Sequence, residues 1–417
     1  MRTRLIFPVL VLVGLALPAV AQTALTWEQV KARFESTNPN LRAGELNIAE
    51  SKAQETTAYL RPNPNLTGAL DQLQWFSGNP YRPFAVFFPL IAADYLHERQ
   101  HKRELRLESA QKGTAIAESQ QEDLERTMLF TLRSAFVQTL QAKQLLLQAQ
   151  ENLDYYNKEL SIFRGRLQAG AIARVDLERM LLQRAQYESD YQSALINSRT
   201  AKITLRLMLN DQTPVDKFDI TGPFEYKEQV LPLEEFHTIA EAARPDLKAA
   251  VQAIDKAQTD HKLAVANGST DPTFGIDFAR NPPIPLYVGF SVNIPLRIFD
   301  RNQGEKARTQ IDISHAQRQK DAAVAQVFSD VDTAYFTIIN AANLLKPYQG
   351  PDGYLAVARR VRDTMSFSYQ RGQAALLDYL DAQRDYRATE VAYINQVAAY
   401  MTAASQLNLA VGREVLQ

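Results

Sequence analysis

Hydrophobic positions along the chain fall into two periods. Over residues 98–167 they follow a helical rhythm: Leu153, Tyr156, Leu160, Phe163 and Leu167 are spaced 3, 4, 3 and 4 apart, a heptad seam. No proline interrupts the stretch between Pro89 and Pro214, whose only glycines are Gly113, Gly165 and Gly170. A helix over Glu98–Leu167 is predicted, about 100 Å long at 1.5 Å per residue. Such a helix must pack along equally long neighbours. Elsewhere the period is two. Leu286, Val288, Phe290, Val292, Ile294 and Leu296 alternate with Tyr287, Gly289, Ser291, Asn293 and Pro295, and Phe274, Ile276 and Phe278 alternate with Thr273, Gly275 and Asp277. Arg82–Leu90 alternates less cleanly, and Leu66–Trp75 is weaker still. Each such segment matches a tilted membrane-spanning strand in length, although two hairpins on a soluble core would show the same pattern.

The plan occurs twice. Pro39-Asn40-Leu41-Arg42 returns as Pro245-Asp246-Leu247-Lys248, Tyr81 as Tyr287, Pro89-Leu90 as Pro295-Leu296 and Asp94 as Asp300, every pair 206 apart. Gly170 and Gly372, like Asp176 and Asp378, are 202 apart. The second copy is thus four residues shorter in between, about one helical turn, which nearly preserves the buried face. Each half reads as a leading helix (Trp27–Leu60, Leu233–Ala266), two extended segments and a long helical hairpin. In the second half Pro347, Gly350, Pro351 and Gly353 interrupt a helix. The predicted divisions are 22–209 for the first repeat, 210–232 for a proline-bearing connector and 233–417 for the second repeat.

Residues 1–21 read as a secretory signal peptide: Arg2 and Arg4, an apolar run over Leu5–Ala16, Pro18, then Ala19-Val20-Ala21, with Gln22 as the first mature residue. No later run is long and apolar enough for a transmembrane helix. An exported chain that enters a membrane must then use its strands. Four strands leave open edges, which lipid does not tolerate. Two chains supply eight strands and three supply twelve, so the pattern calls for a homo-oligomer around a shared axis.

Composition narrows the chemistry. The chain has no cysteine, which excludes disulfides, thiolate metal sites, a cysteine nucleophile and an N-terminal lipidated cysteine. A net charge of −1 argues against nucleic acid as a partner. There is no phosphate-binding loop and no evident catalytic set. His97 and His101 have i, i+4 spacing but lack the HExxH pattern, so a solvated pair is expected there rather than a metal site. No cofactor, metal or enzymatic activity is expected.

The order of signal peptide, helix, strand pair and long helical hairpin, then the same again, resembles the TolC family of outer-membrane efflux proteins over essentially the whole mature chain. The most specific stretches are Phe163-Arg164-Gly165-Arg166-Leu167-Gln168-Ala169-Gly170 followed by Asp176-Leu177, and Phe367-Ser368-Tyr369-Gln370-Arg371-Gly372 followed by Leu377-Asp378-Tyr379-Leu380-Asp381-Ala382. Leu25-Thr26-Trp27-Glu28-Gln29-Val30 with Asn38-Pro39-Asn40-Leu41 also fits. The resemblance implies a mainly α fold with a small β part. Long antiparallel helical hairpins would form an α-barrel in the periplasm. Four transmembrane strands per chain would complete a twelve-strand barrel in an outer-membrane homotrimer. It implies a passive, gated duct of a tripartite efflux or secretion system, docked by a periplasmic adaptor and fed by an inner-membrane pump.

The same resemblance assigns Asp378 and Asp381 to acidic gate rings, and Tyr369 with Asp176 to a hydrogen bond that holds the gate shut. Turns at Gly170, Ala171, Gly372 and Gln373 would dock the adaptor, and Gly165, Gly170 and Gly372 would let the chain reverse. Where the family often has a gate arginine this chain has Ala374, a departure from any arginine-based lock at that position, and Arg371 lies nearby. The competing reading is an exported periplasmic coiled-coil scaffold that binds partners and conducts nothing.

Overall fold

The computed structural model describes residues 24–71, 88–227, 231–281 and 284–416. The signal peptide and Tyr81 lie outside the described residues. Each leading helical stretch is two helices, not one: α1 (Trp27–Thr37) with α2 (Pro39–Tyr59), and α5 (Leu233–Ala243) with α6 (Pro245–Asn267). A proline ring drives the preceding residue out of helical conformation. Asn38 and Arg244 accordingly have ψ of 122° and 121°. Pro39 and Pro245 then start new helices at the position where the missing N–H costs nothing. Asn38 caps its helix, accepting from the Asn40 and Leu41 amides at 2.9 and 3.3 Å. Arg244, buried, donates to Asp246 at 2.6 Å and to Asp330 at 2.8 Å.

Strands β1 (Asn65–Asp71), β2 (Phe88–Leu96), β3 (Thr273–Asn281) and β4 (Ile284–Asn293) form one antiparallel sheet in that order. The two strands of the second half lie where the alternation placed them, except that β4 ends at Asn293 and Ile294–Leu296 run beyond it. In the first half the second strand runs on to Leu96 instead of ending at Leu90; the expected residues 82–87, like the rest of 72–87, lie outside the described ones. Pro89 reads as a terminator in sequence because it cannot donate a ladder bond. In the sheet it pairs only with Leu70 of β1, just before the β3 pairing begins at Leu90–Ala279.

Pro295, its sequence match, lies past the end of β4. The matches Pro89–Pro295, Leu90–Leu296 and Asp94–Asp300 are therefore not structurally equivalent. The long helices of both halves begin after a left-handed residue, His101 (φ 55°) and Asn302 (φ 59°). These are 201 apart, so the shorter spacing is set before the long helices rather than along them.

The sheet has two unlike faces. Ile91, Phe278 and Val288 form one row and Ala93, Ile276 and Phe290 the next. This apolar face is largely uncovered in the single chain, with Phe290 83% exposed. The other face carries Asp94, Asp277 and Ser291. Ser291 and Asp94 occupy the space where a Gly275 side chain would sit, and Asp277 does so at Gly289. Among the described residues β1 and β4 each keep one unpaired edge.

The helical part is built on α3 (Lys102–Gln168), whose 67 residues span about 100 Å. It is flanked by α2, α6, α4 (Arg174–Met208) and α9 (Leu376–Val411). In the second half the counterpart of α3 is two helices, α7 (Gln303–Leu345) and α8 (Tyr354–Gln370), broken over Lys346–Gly353 as the prolines and glycines there predict. Three apolar clusters follow one another: Phe34, Phe136 and Leu205; Phe236, Val331 and Leu407; and, at the far end, Tyr156, Phe163, Met180 and Tyr379. The predicted seam supplies the centre of the last. No helix among the described residues is long and apolar enough to cross a membrane.

The connector is pinned beside α3. The Leu25 amide donates to the Asp219 carbonyl at 3.0 Å and the Thr221 amide to the Leu25 carbonyl at 2.9 Å. Lys143 and Lys202 approach the Asp219 carboxylate at 2.7 and 3.2 Å.

Candidate functional site at the hairpin tips

The two hairpins, α3–α4 and α8–α9, turn by the same device. Gly170 (φ 70°) and Gly372 (φ 74°) adopt the left-handed conformation open to glycine at little cost. Around Gly170 the Ala171 amide donates to the Arg166 carbonyl at 2.8 Å and the Gly170 amide to Leu167 at 3.0 Å. Around Gly372 the Gln373 amide donates to Ser368 at 2.8 Å and the Gly372 amide to Tyr369 at 3.0 Å. These pairs satisfy the last carbonyls of each helix, and Ala171 and Gln373 stand exposed at the apex. Gly165, expected to help the chain reverse, lies inside α3 instead; the reversal needs only Gly170.

Asp378 is exposed in the first turn of α9 and accepts the Ala375 amide at 3.3 Å. It therefore satisfies a free donor of its own helix and sits at the positive end of the helix dipole. Asp381, one turn on, pairs with Arg384 at 3.1 Å, and Arg384 also reaches Asp385 at 3.5 Å.

Tyr369 makes its contacts through its ring. It stacks on Phe163 (centroids 5.3 Å apart) and on Tyr379 (5.4 Å). Burial raises the pKa of its phenol above the usual value, and the nearby charge of Asp176 adds to the rise. Asp176 thus lies within electrostatic reach of Tyr369. Arg371 lies over the ring of Phe367 at 4.0 Å. The guanidinium that faces Tyr369 is Arg166 of α3, 5.6 Å from the ring centroid, which also donates to the Gln370 carbonyl. Arg166 thus ties the two tips together, a contact that sequence spacing did not reveal.

Beneath the turns is a polar group inside the apolar seam. Glu159, 8% exposed, accepts a hydrogen bond from the Tyr379 hydroxyl at 3.2 Å. Tyr155 also bonds to it, and Gln383 of α9 donates to the Tyr155 hydroxyl at 3.3 Å. Burial pushes the Glu159 carboxyl above the ordinary carboxylate range, although the bonds from Tyr379 and Tyr155 and the charge of Arg166 pull the other way. The readable signal was a glutamate three residues after Tyr156 and four before Phe163, on the buried face of the helix. His97 and His101 are not on one helical face, because α3 begins at Lys102. Among the described residues no cluster of His, Asp and Glu suits a metal ion.

Residues 285–413 match the family model for outer membrane efflux proteins. The chain is 21% identical to the cobalt-zinc-cadmium resistance protein CzcC of Cupriavidus metallidurans, over 95% of this chain and 92% of that one. It is 21% identical to the outer membrane efflux protein BepC of Brucella suis, over 69% of this chain and 64% of that protein. The fold matches crystal structures of CusC, with a TM-score of 0.77, 18% identity and coverage of 93% of this chain and 92% of that one. It also matches the open state of the MtrE outer membrane channel of Neisseria gonorrhoeae, with a TM-score of 0.75, 17% identity and coverage of 96% and 94%. Duplicated hairpins, a two-faced open sheet and these likenesses agree: the chain has the fold of the outer-membrane efflux channels, and its residues 285–413 match the outer membrane efflux protein model.

Proposed function

We propose that the chain is the outer-membrane channel subunit of a tripartite efflux or secretion system, a passive gated duct from periplasm to exterior. The observation that carries this is the sheet: an apolar face open along its length, a polar face behind it, and two unpaired edges. In lipid every backbone group must find a partner, so the edges of β1 and β4 pair between copies. These strands run antiparallel, and three copies close a twelve-strand barrel. The helical part, about 100 Å long along α3, continues the duct into the periplasm. The repeats are 22–209 and 233–417, with 210–232 as an equatorial connector.

The gate lies at the tips. Asp378 and Asp381 form two rings of three carboxylates, and Tyr369 with Asp176 helps hold the closed state. Gly170, Ala171, Gly372 and Gln373 mark the turns that meet a periplasmic adaptor, and an inner-membrane pump delivers cargo through it. The acidic rings favour cations. CzcC is named for resistance to cobalt, zinc and cadmium, and we extend cation passage, not a particular metal, to this chain.

The test is the mass of the purified protein in detergent, corrected for bound detergent, followed by conductance in planar bilayers. A mass of three chains with stepwise conductance is expected. A water-soluble monomer would support the scaffold reading instead.

A further inference from the structure

The tip cluster contains a charge-capable group that the gate assignment does not use. Glu159 belongs to the first hairpin, whereas Tyr379 and Gln383 belong to the second, 220 and 224 residues further on. The bonds from Tyr379 to Glu159 and from Gln383 to Tyr155 are direct polar links between the hairpins just below their turns. Around them pack Phe163, Met180, Leu376 and the stacked rings of Tyr369 and Tyr379. Glu159 is buried while the hairpins are together.

We propose that Glu159 is the positioning residue that holds the two hairpin tips in register, and that its ionisation state sets how readily they part. This rests on the reading of the tips as the gate.

The surroundings set the sign. From α3, Tyr155, Tyr156 and Arg166 face the Glu159 region; from α4, Tyr187; from α8, Tyr369 and Arg362, the latter over the Tyr155 ring at 5.8 Å; from α9, Tyr379. The charge of Arg166 acts on Glu159 but does not offset the burial. With the hairpins together the carboxyl holds its proton to a higher pH than an ordinary glutamate does. With the hairpins apart, water restores the ordinary value of about 4.3. Protons therefore bind the joined state more tightly and stabilise it. Raising the pH from the ordinary value through the raised one charges Glu159 and drives the hairpins apart.

The chain has no cysteine, so single thiols introduced at the exposed Ala171 and Gln373 carry spin labels without background. Tip separation and bilayer conductance are measured on the same trimeric protein across the pH range 4 to 8. The labelled parent should show separation rising with pH. E159Q, which keeps the acceptor but cannot ionise, should lose that pH dependence and stay joined. Tyr379→Phe keeps the ring but removes a bond that favours the carboxylate, so its midpoint should move to higher pH. An E159Q profile that follows the parent's, or tips that ignore pH in both, would overturn the inference. If separation follows Glu159 while conductance does not follow separation, the latch stands and the gate assignment falls.

Discussion

Asp378 serves its own helix as well as the proposed lumen. Its carboxylate accepts the Ala375 amide at 3.3 Å near the positive end of α9, a contact made within one chain. Truncation to alanine would remove a cap, at about 0.5–2 kcal/mol, and confuse stability with gating. Asparagine keeps the acceptor and removes the charge. Asp381 is already part-neutralised by Arg384 at 3.1 Å. Block by trivalent cations in bilayers should therefore weaken more in D378N than in D381N, and most in the double variant. Undiminished block in the double variant would remove both residues from the gate. Both aspartates were visible in sequence because they sit in a motif beside a turn glycine. Arg166 and the Glu159–Tyr379 pair were not, since each joins residues some 200 positions apart. What was readable at Glu159 was only a misplaced charge on an apolar stripe.

Among the elements, the longest were the most legible. A stretch without proline and with 3,4 spacing has little choice but to be helical, and α3 is found within a few residues of its expected ends. The breaks before Pro39 and Pro245 were missed because helical periodicity carries across a single non-helical residue. β2 was ended too early because Pro89 cannot donate a ladder bond, yet it sits in the sheet where it pairs with one neighbour, Leu70.

The connector was readable as irregular, but its anchorage was not. Burial alone would raise the Asp219 carboxyl; the bonds from Lys143 and Lys202 outweigh it and hold the group below the usual range. A depressed folded value means that this anchorage contributes fully above the ordinary carboxylate range and is lost as the pH falls through the folded one. Asp219→Asn should reproduce the acid effect at neutral pH, loosening the segment by about 1–2 kcal/mol. Faster amide exchange over residues 218–227, with the helices unchanged, is the expected result. Unchanged exchange would mean that the Leu25 and Thr221 backbone bonds suffice.

For the whole molecule, the decisive feature is the sheet. Among the described residues its apolar face is largely uncovered and its two outer strands each keep an unpaired edge. The sequence carried this in the alternation over Leu286–Val292, where a one-residue shift would exchange the two faces. That sensitivity makes the orientation testable. Val288 is mid-strand on the apolar face, paired with Phe278. Arginine on the lipid face costs about 2–4 kcal/mol near the bilayer midplane, and three copies would together cost about 6–12 kcal/mol on the same scale. Val288→Arg should therefore leave the trimer unassembled and out of the outer-membrane fraction. Ser291 is on the other face, opposite Gly275 and beside Asp94. Ser291→Arg places its charge in the proposed lumen next to a carboxylate, so the trimer should assemble normally and lose cation preference. The reverse pattern, assembly of the Val288 variant and failure of the Ser291 variant, would mean that the faces are the other way round. The polar side would then meet lipid, which no stable barrel allows, and the membrane assignment of the sheet would fall with it.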